Sequence, residues 1–93
     1  MRYLRIEWRC DDLACPTLLL SECDEDGWER RKIEIYRDGR SDRASEGAAE
    51  GGAILSLEPI PDVAEINRDR QFVASEISAA EFEAAWTGGA ASR

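Results

Sequence analysis

The chain has 93 residues, 43% of them hydrophobic and 34% charged. That is the balance of one small globular domain rather than of a disordered segment, and a domain this short buries only roughly 60–65% of its unfolded surface. A net charge of −8 argues against non-specific nucleic-acid binding and favours a basic partner over an acidic one.

Residues 1–43 hold nine basic and eleven acidic groups, whereas residues 44–93 hold three basic and nine acidic groups. The basic residues therefore belong to the first half. The longest apolar run is Leu18-Leu19-Leu20, too short to span a bilayer. The opening residues run straight into a strand pattern with no signal-peptide signature, so a cytoplasmic location is the default expectation.

Tyr3 to Arg9 alternates. Leu4, Ile6 and Trp8 point one way, and Tyr3, Arg5, Glu7 and Arg9 the other, the pattern of a half-buried strand. Cys10 to Pro16 reads as a loop. Thr17 to Asp24 and Trp28 to Arg37 read as two further strands, and the second of these has an Asp-Gly turn at each end, Asp26-Gly27 and Asp38-Gly39. Asp-Gly between strand-like residues is a strong hairpin signal. A two-residue loop at Asp26-Gly27 places Glu22 opposite Arg31, Leu20 opposite Ile33 and Leu18 opposite Ile35, so turn chemistry and hydrophobic pattern agree. The same loop at Asp38-Gly39 sets Asp42 against Ile35, a poor match, which leaves a G1 bulge or a longer loop open there.

Ser45 to Ala53 is glycine-rich and reads as a flexible loop. Ile54 to Leu57 reads as a short strand. Glu58-Pro59-Ile60-Pro61 is extended because a residue before proline is pushed out of the α region. Asp62 is a helix N-cap with Glu65 at N3. Phe72 to Ile77 reads as a strand. Ser78 and Glu81 form a capping box, with Ile77 and Phe82 as a hydrophobic staple, so a helix over Ala79 to Trp86 follows.

The expected architecture is α+β, an antiparallel β-meander sheet of four to six strands with a short C-terminal helix packed on one face. Residues 1–86 form a single domain and residues 87–93 a flexible tail. One sheet face carries Leu4, Ile6, Trp8, Leu18, Leu20, Ile33 and Ile35 under Phe82 and Trp86. The three cysteines, Cys10, Cys15 and Cys23, make no Cys-x-x-Cys pair. They read as free thiols, with neither a zinc site nor a disulfide expected.

Several stretches resemble a family of short bacterial proteins catalogued only as a domain of unknown function. They are Met1 to Trp8, Asp26 to Ile35, Asp38-Gly39, Pro59-Ile60-Pro61, Glu65-Ile66-Asn67, and Ile77-Ser78 with Glu81-Phe82-Glu83 and Trp86. The resemblance implies one domain and carries no activity with it. Short acidic bacterial proteins of this type often serve as immunity proteins beside secreted toxins, a likeness of kind and not of motif.

Two surfaces stand out. The expected solvent face of the sheet interleaves Tyr3, Arg5 and Arg9 with Trp28, Arg30, Lys32 and Tyr36, as on sheets that stack bases and pair phosphates. Cross-strand Arg–aromatic and Arg–Glu pairs that solvate an exposed face would look the same. The first hairpin tip gathers Glu22, Asp24, Glu25, Asp26 and Glu29, suited to a basic partner, though a charged tip also arises from solvation alone. It lacks the spacing of a calcium-binding loop. Without histidine, and with no base that sequence can place beside Cys15, catalysis has little support. No cofactor, metal or membrane motif is present. The leading expectation is a small interaction protein, immunity- or antitoxin-like, that binds a basic protein partner. The rival is a nucleic-acid or nucleotide-binding module using the aromatic–basic face.

Overall fold

Residues 1–11, 15–45, 48–50, 55–56 and 58–88 are described by the structure, a computed structural model. Their elements are β1 (Arg2–Trp8), β2 (Leu18–Cys23), β3 (Glu29–Ile35), β4 (Ser41–Ser45), β5 (Ala48–Glu50), α1 (Val63–Ile66), β6 (Phe72–Glu76) and α2 (Ala79–Gly88). The strands form one antiparallel sheet in the order β5-β4-β3-β2-β1-β6. The chain meanders through β1 to β5, then crosses back to lay β6 beside β1. This is the expected α+β architecture.

Both Asp-Gly turns take the same form, and it is not the two-residue one. Gly27 N–H donates to Asp24 O (3.0 Å) and Asp24 N–H to Trp28 O (2.9 Å). Gly39 N–H donates to Tyr36 O (2.9 Å) and Tyr36 N–H to Arg40 O (2.8 Å). Each loop thus has three residues. Gly27 and Gly39 both sit at φ 91°, and among the described residues no other type has positive φ. A two-residue type I′ turn needs two such positions, so the aspartates keep ordinary φ and the loop lengthens. At the second turn the shift pairs Ile35 with Ser41 and Glu34 with Asp42, which removes the Asp42–Ile35 mismatch. At the first, Cys23 pairs with Glu29, and a bulge at Arg30 returns the register to Glu22–Arg31, Leu20–Ile33 and Leu18–Ile35. The expected inner pairing therefore survives, while the pairing next to the turn does not.

The sheet is buried on both faces. On one, Leu20, Ile33 and Phe82 form a core with Tyr3, Leu18, Ile35, Ile77, Ala85 and Trp86 around them. On the other, Leu4, Ile6, Cys23 and Ala74 pack with Leu19, Ile60, Val63, Ile66 and Phe72. Leu4, Ile6 and Trp8 therefore do not share the face of Leu18, Leu20, Ile33 and Ile35. The loop between β1 and β2 does not fix register. Pairing Leu4 with Ser21 and Ile6 with Leu19 turns the β1 apolar set to the other side, where α1 and the chain before it cover it. A strand slipped by one residue flips every side chain.

The helix ends follow the sequence. Ser78 Oγ accepts from Glu81 N–H (3.0 Å), and Glu81 Oε1 accepts from Ser78 N–H (3.5 Å). Asp62 Oδ1 accepts from Glu65 N–H (2.9 Å) at α1. The ten residues of α2 cannot hold a helix alone. Phe82, 0% exposed, fixes α2 to the sheet, and burying a phenylalanine is worth about 3–5 kcal/mol against alanine. Thr87 and Gly88, expected in the tail, extend α2.

Three local expectations change. The stretch expected as a loop over 45–53 holds β5, which pairs Ala48, Ala49 and Glu50 with Ser45, Ala44 and Arg43; positions 46, 47 and 51–53 lie outside the described residues. The expected strand over 54–57 is not formed at Leu55 and Ser56, and its other two positions also lie outside. Cys10 and Cys15 are joined in a disulfide rather than free, their Cα atoms standing 6.2 Å apart, within the reach of such a bond. Cys23 is free and buried. Among the described residues no helix is long and apolar enough to cross a membrane.

Candidate protein-interaction site

The first hairpin tip is fixed from within. Asp24 Oδ1 accepts from the backbone N–H groups of Asp26 and Trp28, both at 2.9 Å. Its Oδ2 takes the Arg30 guanidinium at 2.8 Å. Burial alone acts to raise this carboxyl. The Trp28 N–H, the Arg30 guanidinium and the Asp26 N–H outweigh it and hold the group below its ordinary value. Asp24 is thus occupied in holding the turn, while Glu25 and Asp26 are exposed. Trp28 is 44% exposed.

The tip is also held from outside. Ile60 N–H donates to Gly27 O at 2.7 Å, and the Arg2 guanidinium donates to Ile60 O at 3.1 Å. A Cβ on Gly27 would stand 3.1 Å from Ile60 O, so this buried glycine permits a close backbone approach as well as the turn. Beneath, Glu29 lies inward. Its carboxylate accepts from Ser21 Oγ (2.7 Å) and Ser56 N–H (2.8 Å), with Lys32 Nζ at 3.5 Å. This ties the chain at Ser56 to the sheet. Beside it, burial pushes the Cys23 thiol up to about 11, with Glu29 adding to the effect.

The aromatic–basic face expected from sequence is divided. Tyr3 lies on the α2 side, its ring 5.5 Å from Phe82; its hydroxyl bonds Glu22, the chief cause of its raised pKa. Arg5, on the same side, pairs with Glu7 at 3.7 Å. Lys32 and Tyr36 lie on the opposite side. Lys32 reaches Glu29 and Glu34 (3.5 and 3.7 Å). Tyr36 donates to Glu34 at 3.3 Å, under the Arg40 guanidinium at 4.4 Å. Arg9 is exposed beyond the end of β1. Only Trp28 and Arg30, with Asp24, Glu25 and Asp26, stay together. The division follows from the β1 register and the bulge at Arg30.

Sequence reasoning missed Arg31. Its guanidinium makes a two-pronged pair with Glu22 (2.7 and 2.8 Å), a further pair with Glu83 of α2, and lies over the rings of Phe82 (4.9 Å) and Trp86 (5.0 Å). Arg31 holds Glu22 below the usual carboxylate range against the opposing effect of burial, with Tyr3 helping. The signal was available, since the expected register already set Glu22 opposite Arg31.

A six-stranded antiparallel sheet with a helix on each face defines a small α+β domain. Within that class the chain belongs to a family described as a domain of unknown function, DUF6881, whose model matches residues 2–91. No curated protein and no solved structure matches it.

Proposed function

We propose that the protein is a small binding module that engages a basic protein partner through the tip of the β2–β3 hairpin. The observation that carries this is Trp28, a large aromatic ring left 44% exposed on a turn whose backbone is held by Asp24 and Ile60. Exposed, rigidly mounted tryptophans dominate binding energy when they enter a partner's pocket. Glu25 and Asp26 stand beside it as a negative rim, and the net charge of −8 steers a cationic partner toward it. An immunity- or antitoxin-like role in the bacterial cytoplasm is the concrete form of this reading, in which the partner is a basic toxin or effector occluded by the contact.

The nucleic-acid reading draws less support, because Arg30 and Lys32 are paired with carboxylates and Tyr3 and Tyr36 lie on opposite faces.

The test is capture from the native lysate with tagged wild type and with a Trp28→Ala, Glu25→Lys variant side by side, with and without nuclease. The expected result is a near-stoichiometric protein, indifferent to nuclease, that the variant loses. Recovery that depends on nucleic acid, or equal recovery by both baits, would overturn the proposal.

A further inference from the structure

On the α1 side of the sheet, Ile6, Leu19, Ile60, Ile66 and Phe72 line an open cleft of about 310 Å³. Pro61 completes its wall, and Glu65 and Asp69 stand at it. These two are the charged groups among the lining residues, and both are exposed. Arg68 and Arg70 are exposed on the same connection but are not part of the wall. Arg2 directs a guanidinium N–H to the Ile60 carbonyl. The cleft thus offers an apolar floor under a negative edge. Ile60 joins it to the hairpin tip, since its backbone holds Gly27 while the residue lines the cleft.

From this continuity we infer that the cleft receives one aliphatic side chain of the basic partner, flanked in the partner's sequence by lysine or arginine. The inference rests on the binding role assigned to the hairpin tip and adds to it the chemistry of the segment recognised. An apolar anchor surrounded by a charged rim is the usual anatomy of such contacts. The opposite sign of the rim selects basic over acidic flanks. Trp28 then enters the partner while the partner's anchor enters the cleft, and the contact is reciprocal.

The test uses the whole chain, labelled with nitrogen-15, and three blocked tripeptides at up to about 5 mM, the range in which an isolated anchor binds. Arg-Leu-Arg is expected to shift the amides of Leu19, Ile66 and Phe72. Glu-Leu-Glu should bind roughly fivefold more weakly, and Arg-Ser-Arg should leave those amides unmoved. Ile66→Phe, which fills the cleft with apolar atoms, should weaken Arg-Leu-Arg about tenfold. Glu65→Lys, at an exposed site, should remove the preference for basic flanks without loss of the fold. Absence of cleft shifts, equal shifts with Arg-Ser-Arg, or indifference to both variants overturns the inference. A captured partner that is lost by the Trp28→Ala, Glu25→Lys variant but kept by Ile66→Phe also overturns it, while the tip reading stands. A partner kept by the tip variant would count against that reading instead.

Discussion

Replacing Arg31 with methionine is expected to destabilise the domain by about 3 kcal/mol. Methionine preserves much of the apolar stem but leaves Glu22, 7% exposed, without its cation. Breaking a fully buried pair costs about 3–5 kcal/mol. Here the Arg31 side chain is 21% exposed, and the Tyr3 hydroxyl remains on Glu22, which brings that part to about 2 kcal/mol. The pair with Glu83 is exposed and adds about 0–1 kcal/mol. Cover over the Phe82 and Trp86 rings adds about 1 kcal/mol. For a domain of this size the sum lowers the melting temperature by roughly 12–24 °C. Urea unfolding followed by tryptophan fluorescence reads it, with the native signal referenced to each variant. Arg31→Lys, which keeps charge but lacks the two-pronged geometry, should recover less than half of the loss. In a double-mutant cycle with Glu22→Gln the two losses should fall short of additivity by about 1–2 kcal/mol. Additive losses, or a drop below about 1 kcal/mol in the single variant, would refute the view that Arg31 joins α2 to the sheet.

Three further outcomes are expected. Because the folded Glu22 carboxyl titrates below its ordinary value, its contribution is complete above the unfolded value and is lost as pH falls through the folded one. Unfolding measured from neutral to acidic pH should therefore show a steeper acid loss in wild type than in Glu22→Gln. Asn67 bonds the β6 edge through both ends of its amide, accepting from Ala74 N–H (2.6 Å) and donating to Ala74 O (3.0 Å), so Asn67→Ala should cost about 1–3 kcal/mol. It should also raise self-association on analytical ultracentrifugation by baring that edge. Titration of thiols without reductant should find none reacting quickly in the native protein. It should find one after unfolding, since Cys10 and Cys15 are bonded and Cys23 is buried.

Local signals in the sequence carried much of the fold. The inner β2–β3 register, the Ser78–Glu81 cap and the Phe82 anchor follow from turn chemistry and spacing over short separations. The β1 register did not, because no tight turn ties Arg9 to Thr17, and alternation within β1 reads the same whichever face it meets. The clue was Leu18-Leu19-Leu20. A strand apolar on both sides needs cover on both faces, and Leu19 packs in the second core. The unfixed β1 register likewise set Tyr3 and Arg5 beside Lys32, whereas they pair with Glu22 and Leu20. At the candidate site, the acidic tip was legible from composition. The cleft was not, because its walls come from β1, β2, the Pro59–Pro61 stretch, α1 and β6, which only the crossover brings together.

That crossover has a consequence for how the protein is made. Among the described strands β1 leaves the ribosome before the others, and its outer neighbour, β6, begins at Phe72. At about 5–20 residues per second, roughly 3–13 seconds separate the end of β1 from the start of β6. Once β3 ends at Ile35 the three strands β1, β2 and β3 can pair locally, yet until β6 and α2 follow neither Phe72 nor Phe82 is there to cover them. The nascent chain therefore carries a two-sided apolar sheet with an open edge beside Leu4 and Ile6. Its yield in a cell depends on what shields that sheet until β6 and α2 emerge.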